Sequence, residues 1–354
     1  MTSSSRRAGD WVEVRSKEEI LATLDRQGQL DKLPFMPGML QYCGQRFRVY
    51  KRAHKTCDTV NRSGGRRMAN AVHLEGLRCD GQAHGGCQAG CLLFWKDAWL
   101  KPVDGPERAR GESPAPRTAS RDASTNGGCT EADVLAGTRD ASAGSGDQTK
   151  YICQATQVPY FTTPLAWWDM SQYIEDYRSG NITLWRLVSG TIYACYYNLS
   201  EAGIGLGPAM RWFYDKFQAL WGGVPYPRWG GKIPAGQPTP PGVLNLRPGE
   251  LVRVKPYKEI LKTLDTNHKN RGLLFDAEAV PYCGGTYRVS RRIKQIIDER
   301  TGKLLPMKTE SVVLQDVYCQ SRYSDCRMFC PRSIDSYWRE IWLERVPENA
   351  AEDR

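Results

Sequence analysis

Residues 9–25 read GDWVEVRSKEEILATLD, and residues 249–265 read GELVRVKPYKEILKTLD. The offset of 240 positions holds far beyond these stretches: Leu33 and Phe35 fall on Leu273 and Phe275, Tyr42-Cys43-Gly44 on Tyr282-Cys283-Gly284, and Cys79 on Cys319. After a three-residue insertion Cys87 falls on Cys330, and Trp95 and Trp99 fall on Trp338 and Trp342. A duplication of this length sets the architecture, because each copy must then be one supersecondary unit.

Local signals inside each copy agree with one another. Trp11, Val12 and Val14 after Gly9-Asp10 read as a strand leaving a turn. Ser16 and Glu19 have capping-box spacing for a short helix with Ile20, Leu21 and Leu24 on its apolar face. YCGQRFRVYKR alternates about Phe47 and Val49, and Val72–Leu77 reads as a further strand. Short strands bounded by glycines over roughly 60–90 residues suggest a small closed barrel of SH3-like size; an irregular zinc-ribbon-like β fold is the alternative. Trp95, Trp99, Trp338 and Trp342 are expected to close such cores rather than to stack bases.

The unduplicated sequence divides in two. Residues 104–149 are rich in Gly, Ser, Ala, Arg and Thr and carry almost no large apolar side chains. Such a segment cannot offset its ordering entropy and reads as a disordered linker, with Cys129 an incidental thiol. Residues 150–247 are aromatic-rich. Trp167 to Tyr177 has helical spacing ended by Ser179-Gly180-Asn181. Met210, Phe213, Tyr214, Phe217, Leu220 and Trp221 form an amphipathic helical stripe, while Ile182 to Tyr197 is helix or strand. The expected class is α+β, with two SH3-like β-barrel repeats (9–103 and 248–347) flanking a mainly helical central unit.

The chain of 354 residues has a formal net charge of +10, which permits an anionic partner and selects no function. The opening residues lack a secretory signal, and no stretch approaches the ~20 apolar residues of a membrane helix. The expected setting is therefore cytoplasmic, without membrane contact. Twelve cysteines there point to metal or redox chemistry rather than to disulfides.

Cys43, Cys79, Cys87 and Cys91 form the candidate ligand set of the first repeat, and Cys283, Cys319, Cys326 and Cys330 that of the second. Cys91 aligns with Ile334, and Cys326 lies in the inserted residues. Cys87-x3-Cys91 and Cys326-x3-Cys330 suit zinc, although no C-x-x-C knuckle occurs. Three shared thiolates per repeat, and Cys330 preceding Pro331, lean towards an iron–sulfur cluster with one iron open to a small-molecule substrate. Two readings follow: a metal enzyme of one tailoring step in a bacterial biosynthetic pathway, or a zinc-stabilised module binding nucleic acid or protein through its basic surface. His84 reads as a solvated loop residue, with replacement of a cysteine ligand as the alternative, and Cys153 as a packing residue within reach of one site. No Walker motif, paired-carboxylate signature or HExxH is present.

The YCG, CPRS and YWREIWLERV stretches, with the CQAT…WWD…SGN segment, resemble a bacterial family of tandem cysteine-bearing SH3-like domain proteins associated with exopolysaccharide or specialised-metabolite gene clusters. The resemblance implies the SH3-like fold and implies no activity.

Overall fold

The computed structural model describes residues 6–105, 128–140, 149–324 and 326–347. It is a mixed α+β structure of small antiparallel sheets and short helices. The chain forms two compact units, residues 1–183 with 297–305, and residues 184–296 with 306–354. The stretch 150–247 is thus apportioned between the units rather than forming a third.

The first unit holds a five-stranded sheet in which Trp95–Lys96, Ala71–Leu74, Arg46–Arg52, Trp11–Val14 and Leu100–Pro102 lie side by side in that order. Its two edge strands are separated in sequence only by the 3-10 turn Asp97–Trp99. Five flat strands would put those edges roughly 19 Å apart at ~4.8 Å per strand. The connection from Lys96 to Leu100 spans at most ~14 Å. The sheet must therefore curl strongly, yet no ladder joins its two edges among the described residues, so the expected closed barrel is not formed.

The second unit repeats this sheet with Asp335–Trp338, Leu304–Tyr318, Thr286–Ile297, Leu251–Val254 and Leu343–Arg345. The registers coincide with the sequence offset. Trp11 faces Arg48 as Leu251 faces Arg288, and Val14 faces Leu100 as Val254 faces Leu343. The tryptophan contacts of the two cores match. Trp99 Nε1 donates to Thr23 Oγ1 at 3.0 Å, and Trp342 Nε1 donates to Thr263 Oγ1 at 3.0 Å. Phe35 meets Trp99 edge-on at 5.1 Å, and Phe275 meets Trp342 at 5.0 Å. All four tryptophans are fully buried, so their role is packing.

Ser16 forms the expected capping box with Glu19 at the head of helix Lys17–Leu21. Helix Ser171–Arg178 ends at Ser179, with Gly180 left-handed. Ile182–Tyr197 resolves as part of helix Leu184–Ser200, and helix Gly207–Ala219 follows it.

The linker reading needs correction where its residues are described. Glu131–Ala136 is a helix capped by Thr130 and Asp133, and Val134 and Cys129 are buried in the first core. The Thr-x-x-Asp signature before Val134 and Leu135 is a helix-start signal that composition alone conceals. The rest of that stretch, residues 106–127 and 141–148, lies outside the described residues. No helix among the described residues is long and apolar enough to cross a membrane.

Candidate functional site

The loop after strand Ala71–Leu74 builds the site. Cys79 N–H donates to the Cys91 carbonyl at 2.8 Å, closing residues 79–91 into a ring of backbone. Inside it, His84 N–H and Gly86 N–H both donate to the Gly81 carbonyl, at 2.9 and 3.0 Å. Gly81 is left-handed, and a Cβ there would run into the Cys87 carbonyl. Only glycine meets both demands.

This ring and the segment from Cys153 enclose a cavity of about 30 Å³. That is more room than one water needs. Cys79, His84, Cys87, Cys91 and Cys153 line it, with Met36 and Ile297 among the apolar residues that complete the wall. Cys43 does not line it. It ends the 3-10 helix Pro37–Tyr42, and its charged neighbours are Glu18 and Lys17 rather than other thiols. Cys153, from another segment of the chain, does line it.

Ile297 N–H donates to Cys87 Sγ at 3.3 Å. The Gly81 N–H lowers the pKa of the Cys79 thiol and the Thr156 and Ala155 N–H groups lower that of Cys153, in each case against the larger effect of burial. Burial, with smaller contributions from nearby Cys153 and Cys87, pushes the Cys79 thiol up to about 12. Burial likewise raises Cys153. Without a bound cation these groups stay protonated at neutral pH and are poor nucleophiles.

His84 is buried, not solvated as its loop position suggests. Burial lowers its pKa, against the pull of the Ile152 carbonyl, so the ring is neutral at pH 7. Nε2 is buried and has no hydrogen-bond partner, which assigns Nδ1 as the donor to Ile152. A neutral imidazole with one nitrogen anchored and the other bare is the form in which histidine binds metals. Among the described residues, no group of three or more His, Cys, Asp or Glu side chains is arranged, as it stands, to hold a metal ion. The donors surround a cavity rather than meeting at a point.

The second repeat treats the same loop differently. Cys319 N–H donates to the Ile334 carbonyl at 2.8 Å, the counterpart of the Cys79–Cys91 bond. Cys319 Sγ lies 3.4 Å from Ser321 Oγ. Cys283 Sγ lies 4.0 Å from the Ala279 carbonyl, and burial pushes this thiol up to about 12. Cys326 is exposed and left-handed, and Cys330 is buried. The loop interior holds the buried Glu278, which accepts from Tyr323 N–H and, at 3.2 Å, from Ser324 Oγ. No family model and no curated protein matches the chain.

Proposed function

We propose that the chain is a cysteine-ligated metal protein whose centre lies in the first unit. Cys79, Cys87 and Cys153 are its thiolates, and Cys91 and His84 supply the remaining donors. The observation that carries this reading is the gathering of Cys79, Cys87, Cys91, Cys153 and the buried Nε2 of His84 around one cavity. Metal binding would release the thiol protons, and the positive ion would replace the mutual repulsion of the sulfurs with attraction. The apolar wall keeps water from the site.

An iron–sulfur cluster is the reading we favour, because its ligands remain spaced around it. A zinc ion would require four donors to close onto one point. An iron ligated by His84 instead of a cysteine would be the position for a small substrate, and any tailoring activity in a biosynthetic pathway would reside there. We also read each curled sheet as SH3-like, on the strength of the single 3-10 turn between its last two strands.

Anaerobic purification with elemental analysis and an electronic spectrum tests the reading. A brown protein absorbing near ~400 nm, containing iron and acid-labile sulfide, is expected. A colourless protein with one zinc supports the alternative. A metal-free, fully folded protein refutes both.

A further inference from the structure

Helix Leu184–Ser200 buries Gly190, Tyr193 and Ser200 against its own unit, where Phe329 covers Gly190 and Tyr193 meets Tyr323 edge-on at 4.8 Å. Its opposite side is exposed and apolar. Trp185, Val188, Ile192, Cys195 and Leu199 follow one another at alternating spacings of three and four, which is the seam of a heptad repeat. The next helix, Gly207–Ala219, packs back on the first through Tyr196 Oη, which donates to the Met210 carbonyl at 2.6 Å. It and the two residues after it expose Trp212, Phe213, Phe217, Leu220 and Trp221. An amphipathic stripe at this spacing normally faces a core; here Trp185 is 76% exposed and Leu220 78%.

The exposed apolar surface of this hairpin is on the order of 900 Å², counting ~200 Å² for a fully exposed aromatic and ~100 Å² for an aliphatic side chain. The largest patch on an ordinary monomer is roughly 300–600 Å², and one side of a stable interface covers about 800 Å². Charge decides the kind of partner. The hairpin's ionisable groups are Arg186, Glu201, Arg211, Asp215 and Lys216, and Arg211 is paired with Glu201 at 2.6 Å. A helix that lies on a lipid surface carries a strongly basic polar face, which this one lacks. In a chain of net charge +10, a nearly neutral face is one that a second copy can approach without repulsion.

We propose that this hairpin is a self-association surface, and that two copies of the chain meet through the seam Trp185–Leu199 and the aromatic residues of the second helix. The contact is isologous, with the same residues supplied by both copies.

Light scattering on the full chain across a dilution series tests this. A mass near twice 39.9 kDa is expected at micromolar concentration, falling to the monomer in a Trp185→Glu/Ile192→Glu variant. Circular dichroism and metal content of that variant should match the parent, since both residues face solvent. Should it fail to fold, Leu220→Glu on the other helix provides the same test. A wild-type monomer at all concentrations overturns the proposal, and so does a dimer that survives the substitutions. Retention of the wild-type monomer on phosphatidylcholine/phosphatidylglycerol vesicles, lost in the variant, would assign the face to lipid and overturn it as well.

Discussion

The two repeats share a core and differ in one loop. Both bury a Phe against two Trp, and both tie the second Trp to a Thr hydroxyl. Between the third and fourth sheet strands they diverge. The first repeat arranges thiols and a bare imidazole around a cavity, while the second places the carboxylate of Glu278 against the loop backbone. One scaffold thus supports thiols and an imidazole around a cavity in one copy and a buried carboxylate bonded to the loop through one oxygen in the other. Packing alone sets the core, whereas the loop can drift as long as its buried polar groups find partners.

The largest test of this contrast is metal content. Cys87→Ser or Cys153→Ser should abolish it, a fall from one centre per chain to near zero by elemental analysis. Cys319→Ser should leave it unchanged. Equal losses in both repeats would restore the reading of one centre per copy.

Gly81→Ala comes next. A left-handed site that also collides with the Cys87 carbonyl should cost roughly 1–3 kcal/mol or more, read as a lowered denaturation midpoint together with weakened metal retention. The aligned Ser321 already bears a side chain at φ 49°, so Ser321→Ala should cost under ~1.5 kcal/mol, the worth of its contact with Cys319.

Much of the fold was legible in the sequence, because the registers repeat the 240-residue offset and buried apolar positions alternate as strands require. Of the candidate ligands of the first repeat, Cys79, Cys87 and Cys91 line one cavity and Cys43 does not. Cys43 and Cys283 are matched because both end the same 3-10 helix. Cys153 and His84 have no partner in the other repeat, so an argument from duplication discounts them. His84 is held near Cys79 by its own loop, whereas what brings Cys153 there is tertiary: Gln154 Oε1 accepts from Phe94 N–H at 2.8 Å, and its amide donates to the Pro34 and Phe94 carbonyls, both at 3.0 Å. That glutamine fixes the CQAT turn against the core, and no local pattern announces it. The central helices illustrate the converse case. Periodicity predicts the helix through Met210 and Phe217 and leaves Ile182–Tyr197 open between helix and strand; such a stripe implies burial, yet much of it is exposed.

A smaller effect concerns Glu340, which aligns with Asp97. Burial alone would raise its pKa, but the N–H groups of Leu244, Leu246 and Asn245 and the Arg292 guanidinium outweigh that and hold the carboxyl below its usual range. A folded-state pKa below the unfolded value of ~4.3 stabilises the protein above that pH, and the stabilisation is lost as pH falls through the folded value. Glu340→Gln should cost about 2 kcal/mol near neutrality and flatten the acid limb in urea midpoints measured from pH 3 to 6. Smallest of all are Thr23→Val and Thr263→Val. Each removes the acceptor of a buried indole and the hydroxyl's own donation to the Ile20 or Ile260 carbonyl, and should cost about 1–1.5 kcal/mol, equally in the two repeats.

The measurement closest to the central claim is iron, zinc and acid-labile sulfide per chain, determined side by side for the anaerobically purified wild type, Cys153→Ser and Cys283→Ser. One centre in the wild type, none in Cys153→Ser and full occupancy in Cys283→Ser is the predicted result. Full occupancy in Cys153→Ser would contradict it.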